Sequence, residues 1–317
     1  MRKIAFLLSL LVAFAAGAQS YPAKPVRVVV TFPPGGTPDI YGRVMAAELQ
    51  KAWGQGVLVE NRTGAGGTIG TDAVAKAAPD GYTLLFAADA TITIAPSLYA
   101  KLPYDPVRDF APIINVARGP FVLLAHPSLP ANTLPELIAL AKAQPGKLSY
   151  ASSGAGGQQH LAMETVKNAA GIDVLHIPYK GFGQGLADVM AGQVPMIFGG
   201  ITASLQIAKS GKLKPIAVTS PARAKAMPQV AAIAETLPGF DIQAWYGFVA
   251  PAGTPREIVR KVHDDAHAII QRPDFQKRLA GDAIEPVANS PEEFGAQIRA
   301  DVERWRRVVA AAGVKAE

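Results

Sequence analysis

The sequence predicts an α/β protein built on a largely parallel sheet, and three observations carry that reading. Short β-branched runs alternate with helical patterns along most of the 317 residues, as parallel strands require, because the chain must cross back over the sheet between them. Thirty glycines and 26 prolines without a short period supply tight turns rather than a fibrous repeat. Beyond residue 255 the pattern turns wholly helical, and such helices need a sheet to cover.

The first strand, 26–32, leads into a helix over 39–53. Thr37 can serve as its N-cap, with Pro38 at the first helical position, where the missing N–H costs nothing inside the helix, and Asp39 in the first turn. A strand over 57–60 then precedes a helix over 68–77, and a strand follows at 82–87. The alternation resumes with strands at 121–125, 147–151, 174–178, 195–198 and 213–219, separated by helices at 134–143, 158–168 and 182–190. No low-complexity linker interrupts it. In the C-terminal part, Ile258, Val259, Val262, Ile269 and Ile270 form one apolar stripe at helical period, and Phe294, Ile298, Val302, Trp305 and Val309 form another.

The N-terminus reads differently. Arg2 and Lys3 precede an apolar run over 4–16 that ends in Ala16-Gly17-Ala18, the layout of a secretory signal cut after Ala18. About 13 apolar residues fall short of the roughly 20 that span a bilayer. Residues 1–18 are therefore expected to be a signal peptide, leaving a protein free in the periplasm. Their loss takes two positive charges off the formal +6, which leaves a mild excess over a large surface and argues against a nucleic-acid partner. The absence of cysteine excludes a disulfide, a thiolate metal site and a lipid carried on an N-terminal Cys.

One repeat stands out. VRVVVTFPPGGTPDIYGRV (26–44) and KLSYASSGAGGQQHLAMETV (147–166) each run from a strand through a small-residue turn into a helix. In open α/β sheets the ligand crevice lies at the carboxyl ends of the strands, where helix N-termini offer N–H groups and a positive dipole end. Two such ends facing each other would grip an anion from both sides. The glycines of these turns have an alternative role in tight turns alone. Asp39 has a purely structural alternative to orienting the loop or a water, and His160, one turn into the second helix, could serve either purpose.

Other motifs are incomplete. The turn at Gly35 and Gly36 lacks the Lys-Ser/Thr of a phosphate-binding loop, and neither GAGGTIG (64–70) nor GAGGQQ (154–159) completes G-x-G-x-x-G. YASSG (150–154) approaches the G-x-S-x-G elbow of hydrolases, with His160 or His176 as base, but Tyr150 replaces the glycine that the strained turn needs. His263 and His267 stand four apart on a polar helix flank and read as a solvated face. No metal and no cofactor are expected. Phe32, Tyr179, Trp245 and Tyr246 fall near strand ends and serve either as core or as apolar walls of a pocket.

Seven ordered blocks carry a family resemblance: FPPGG-x-x-D (32–39) with Arg43, VENRTGAGGTIGTDAVAKAAPDGYTLL (59–85), LPYDPVRDFAPI (102–113), YASSGAG-x-x-x-HLA (150–162), IPYKG (177–181), GKLKPIAVTS (211–220) and VAPAGTP (249–255). Together they resemble the Bug family, the extracytoplasmic solute receptors of tripartite tricarboxylate transporters. The resemblance implies a type II periplasmic binding protein fold: two α/β domains joined by two crossing strands, with the ligand cleft between them. Crossings would lie near Phe121 and Phe248. Domain 1 would comprise residues 22–121 and 249–317, with the helices from Pro255 packing back onto it, and domain 2 residues 122–248.

The resemblance further implies a monomeric receptor that delivers a small carboxylate to membrane permease subunits, gripping it through backbone amides and bridging waters. On this sequence the grip falls to Phe32, Gly35, Gly36, Thr37 and Asp39 in one jaw, and to Ser152, Ser153, Gly154, Gly156 and His160 in the other, with Thr91, Gln158, Tyr179 and Gly200 completing the candidate set. Presentation of the ligand to a sensor kinase domain is an alternative client, and a secreted serine hydrolase an alternative class. The family usually has Ser or Thr where Gly157 stands, Thr-His at Thr91-Ile92 and often Asn at Ala95, while Pro195 and Gly199 replace acidic or amide residues. These departures point to a more apolar pocket, for an aromatic or aliphatic carboxylate rather than citrate or an amino acid.

Overall fold

The computed structural model describes residues 21–314; the signal peptide expected at 1–18 lies outside the described residues. VRVVV forms β1 (Val26–Val30), four of whose five residues are buried, as befits a strand covered on both faces. It pairs in parallel with β2 (Val57–Asn61) and β3 (Thr83–Ala88). The connections are α1 (Thr37–Trp53) and α2 (Thr68–Ala75). After β3 a π-helical turn over Ala90–Ile94 runs into the short α3 (Ala95–Leu98). The N-cap of α1 is Gly36, one residue before the expected Thr37, because the Ile40 amide already donates to the Gly36 carbonyl at 3.0 Å.

The longest strand is β4 (Phe110–Ala125). Only 121–125 was expected as strand, since Pro112, Gly119 and Pro120 punctuate the rest. Register shifts at Pro112–Ile114 and Asn115–Ala117 accommodate that segment, as bulges do where an extra residue breaks the ladder. The early part of β4 pairs antiparallel with β9 (Gln243–Pro251), and its late part with β7 (Met196–Gly200) and β8 (Lys214–Val218). β4 thus belongs to both halves of a ten-stranded sheet of order β2-β1-β3-β9-β4-β7-β5-β6, with β8 and β10 (Glu285–Pro286) also on β4. Beyond β7 the sheet continues through β5 (Ser149–Ser152) to the edge strand β6 (Leu175–Pro178).

In the second half, α4 (Leu134–Ala143), α5 (Gln158–Ala170), α6 (Phe182–Met190) and α7 (Ile201–Lys209) cover the sheet. Phe248 lies inside the first half, opposite Phe86 and Ile114. At Ile242 the chain is still tied to the second half, its amide donating to the Thr219 carbonyl, and β9 pairs with β3 from Tyr246 onward.

The C-terminal helices find the sheet they lacked. α8 (Arg256–Gln271) buries Val262, Ile269 and Ile270 with Val26, Met45 and Leu84, and α9 (Pro273–Gly281) follows it. α10 (Pro291–Ala312) buries Phe294 and Ile298 with Val29, Leu85 and Val249. Its 22 residues span about 33 Å, so its far end reaches the second half, where Trp305 and Val309 join Tyr150, Leu161 and Met163. The helices from Pro255 therefore pack beyond the first half alone.

A candidate ligand cleft

Three strand-to-helix turns open on one cavity of about 400 Å³. β1 feeds α1 through Gly36, β5 feeds α5 through Gly157, and β7 feeds α7 through Gly200. Each glycine is an N-cap in ordinary extended conformation (φ −76°, −66° and −59°), and none of the three starts has a side-chain cap. The first N–H groups of a helix have no intrahelical acceptor, and the dipole adds positive potential at the same place. The cavity is therefore a meeting point of donors, at the carboxyl ends of strands where α/β sheets hold ligands.

Six of the candidate residues line this cavity: Phe32, Gly36, Thr37, Ser153, Gln158 and Gly200. The other eight do not line it. Asp39 accepts from the Gly35 amide (3.0 Å), Arg43 Nε (2.9 Å) and Asn61 Nδ2 (2.8 Å), while Asn61 also donates to the Phe32 carbonyl. Burial alone would raise the Asp39 carboxyl, but the Gly35, Arg43 and Asn61 donors outweigh it and hold it below the ordinary range. The geometry gives Asp39 the work of holding the first loop.

The second loop is tied down in the same way. The Ser153 amide donates to Gln159 Oε1 (2.8 Å), the Gly154 amide to Ser152 Oγ (3.2 Å) and the Gly156 amide to His160 Nδ1 (3.0 Å). Gly154 and Gly156 hold φ of +135° and +75°, where a Cβ is strained. The amides of Gly35, Ser153, Gly154 and Gly156 thus serve their own loops. The helix-start residues with an N–H that line the cavity are Thr37 in α1, Gln158 and Gln159 in α5, and Ile201 and Thr202 in α7.

Ser152 and His176 do form a pair, Oγ to Nε2 at 2.6 Å. Ser152 is fully buried and does not line the cavity. Burial, then the neighbouring His160, push His176 down to about 4, and burial lowers His160 as well. The two rings stack at 3.8 Å, and the Tyr150 ring lies 5.0 Å from His176 and 6.4 Å from His160. A weakly basic imidazole beside a buried hydroxyl describes a packed core rather than a nucleophile and its base. Thr91 is buried and bonds Ala88, and Tyr179 donates to Asp188 at 2.6 Å.

Several lining residues carried no motif. Phe121 comes from β4, and Phe182 and Ile201 from the starts of α6 and α7; of the aromatics expected as pocket walls, Phe32 and Tyr246 line the cavity and Tyr179 and Trp245 do not. Phe182 explains Gly199: a Cβ at 199 would lie 2.6 Å from Ser204 Oγ and 3.0 Å from the Phe182 ring. Asp89 follows β3 at its carboxyl end, the one signal that could have found it. It is 1% exposed, accepts from Gln158 Nε2 across the cavity, and its Oδ1 has no hydrogen-bond partner among the described residues. Burial, reinforced by Asp301, pushes its carboxyl well above the ordinary range, and Arg304 offsets only part of this. Among the described residues no Lys, Arg or His lines the cavity.

A second cavity of about 460 Å³ opens elsewhere, lined by Arg118 and Arg223. Its two arginines are already matched, Arg118 with Glu285 at 3.7 Å and Arg223 with Glu235 at 2.8 Å, which leaves Lys225 as its one cation without an ion pair among the described residues. It also abuts the C-terminal end of α9 at Ala280, where a helix dipole disfavours an anion.

The family model described as tripartite tricarboxylate transporter family receptor matches residues 41–314. The chain is 36% identical to protein BugT of Bordetella pertussis over 306 residues, which is 96% of this chain and 94% of that one. A protein from R. palustris solved with adipate superposes with a TM-score of 0.84 at 33% identity, covering 93% of this chain and 99% of that one. MatC from Rhodopseudomonas palustris, solved with bound malate, gives 0.79 at 31% identity, covering 91% and 100%.

Proposed function

The chain belongs to the tripartite tricarboxylate transporter receptor family, and from that premise we propose that it captures a small carboxylate in this cleft and delivers it to membrane permease subunits. The observation that carries the reading is the convergence of three helix starts capped only by Gly36, Gly157 and Gly200 on one cavity without a cationic side chain among the described residues. Such a site takes an anion through backbone N–H groups. The solved relatives with adipate and malate are in keeping with it.

Phe32, Pro120, Phe121, Phe182 and Ile201 give the cleft apolar walls, which suit an aliphatic or aromatic carboxylate. Micromolar affinity needs about 8 kcal/mol. Each charge-assisted hydrogen bond contributes roughly 1.5–3 kcal/mol and a favourable dipole up to about 2, so two helix starts suffice without a salt bridge. The segments before and after the two crossings, near Phe121 and within β9, act as lobes. A ligand that touches both only when they are closed shifts the balance toward the closed form. The protein works as a periplasmic monomer, and no bond is made or broken. Thermal unfolding with a panel of carboxylates tests this: hexanoate, adipate or benzoate should raise the melting temperature, whereas stabilisation by citrate or amino acids alone would reject the ligand class.

A further inference from the structure

We propose that Asp89 meets the ligand as a neutral carboxylic acid and donates a hydrogen bond to one of its anionic oxygens, so that Asp89 selects carboxylates over ammonium-bearing analogues. The inference rests on the receptor reading above and names the group that reads the far end of the ligand. Asp89 is the one carboxyl lining the cavity, and Tyr246 is the only other ionisable group there among the described residues. A ligand carboxylate and an ionised Asp89 would share a closed, apolar space without a cation between them. Two carboxyl groups in such a space do not both stay ionised; one keeps a proton.

The groups around Asp89 favour the proton on the protein. From α10, Asp301 adds negative charge, while Arg304 is engaged by Asp301 at 3.1 Å and by the Asp241 carbonyl. From β9, Tyr246 is held neutral by its own burial; the backbone N–H groups of Trp245 and Ala90 favour the ionised carboxyl, but burial outweighs them. From α5, Gln158 gives an N–H to Oδ2, as a carbonyl-like oxygen accepts, which leaves the proton to the unpartnered Oδ1. A turn about χ2, a soft torsion, presents that O–H to the cleft. Burial acts in the same direction on the carboxyl itself.

The sign of the pH effect follows. Below the raised ionisation of Asp89 the donor is present and carboxylate affinity is full. As pH rises through it, binding must draw a proton from solvent and affinity falls, by up to ~tenfold per pH unit. The test is calorimetry on the full mature chain with hexanoate, adipate and 6-aminohexanoate, between about pH 5 and about pH 9, in two buffers of different ionisation heat. Expected are proton uptake with adipate once pH exceeds the raised ionisation of Asp89, no such uptake with hexanoate, whose far end carries no anionic oxygen, weaker binding of 6-aminohexanoate than of adipate, and a flattened profile for Asp89→Asn, which keeps an N–H donor. Circular dichroism reports whether that variant is folded, and the proton count on the unaltered protein does not depend on it. Proton release on adipate binding, adipate affinity that rises with pH, or preference for 6-aminohexanoate would overturn the role of Asp89 alone. Absence of binding by every carboxylate would overturn the receptor reading along with it.

Discussion

The helix starts at the cleft and two of those elsewhere solve the same problem in opposite ways. α4 begins at Thr133, whose side chain accepts from the Glu136 amide, and α10 begins at Ser290 with a reciprocal capping box to Glu293. These side chains satisfy donors that would otherwise face water. α1, α5 and α7 begin at Gly36, Gly157 and Gly200 and forgo that stabilisation. α2, α6, α8 and α9 also start without a side-chain cap, so what sets α1, α5 and α7 apart is that their open starts meet at one cavity.

The sharpest way to break the comparison is to cap a cleft-facing start. Gly36→Asp has room, since its Cβ would sit 3.6 Å from the Pro33 carbonyl and 3.7 Å from the Pro38 ring, and its φ of −76° suits any residue. Asp is also a better N-cap than Gly, by a few tenths of a kcal/mol. Carboxylate affinity measured by calorimetry should drop by about a hundredfold or more with no loss of melting temperature. A destabilised protein, or unchanged affinity, would show that the uncapped start has another cause.

The mirror experiment removes an outer cap. Ser290→Ala should lower stability to chemical denaturation by about 1 kcal/mol and leave ligand affinity as it was. A shift in affinity there would mean that α10, which packs on both halves through Phe294 and Trp305, reports cap strength to the cleft.

The smallest expected effect concerns Asp39, which does for the first loop what no cap does for the helix. Its depressed ionisation stabilises the fold above the unfolded carboxyl range near about 4, and that contribution is lost as pH falls through the folded-state value. The stability advantage of the unaltered protein over Asp39→Asn should therefore be level at neutral pH and shrink under acid. An advantage that grew on acidification would contradict the hydrogen-bond account.

The same contrast explains what could be read in advance. β1 and α1 were legible because VRVVV and the Pro38–Asp39 start are local signals. The two glycine turns were legible as a pair because the pattern repeats. β4 was half hidden, since Pro112 and Pro120 read as breaks and only pairing with β9 makes them strand. Asp89 was invisible for a different reason. Its environment comes from Gln158, Tyr246 and Asp301, which stand 69, 157 and 212 residues away in sequence, and no local pattern encodes that meeting. Likewise, nothing in the glycine turns foretold that His160 and Gln159 would occupy amides expected to face a ligand.

The central claim is that uncapped helix starts, and no cation, hold the anion. A crystal structure of the mature protein grown with adipate tests it most directly. The account predicts carboxylate oxygens at about 3 Å from the helix-start amides of α1 and α5, between Gly36 and Gly157, with the chain of the ligand against Phe121 and Phe182. Adipate held instead by Arg118 and Arg223 in the second cavity would contradict it.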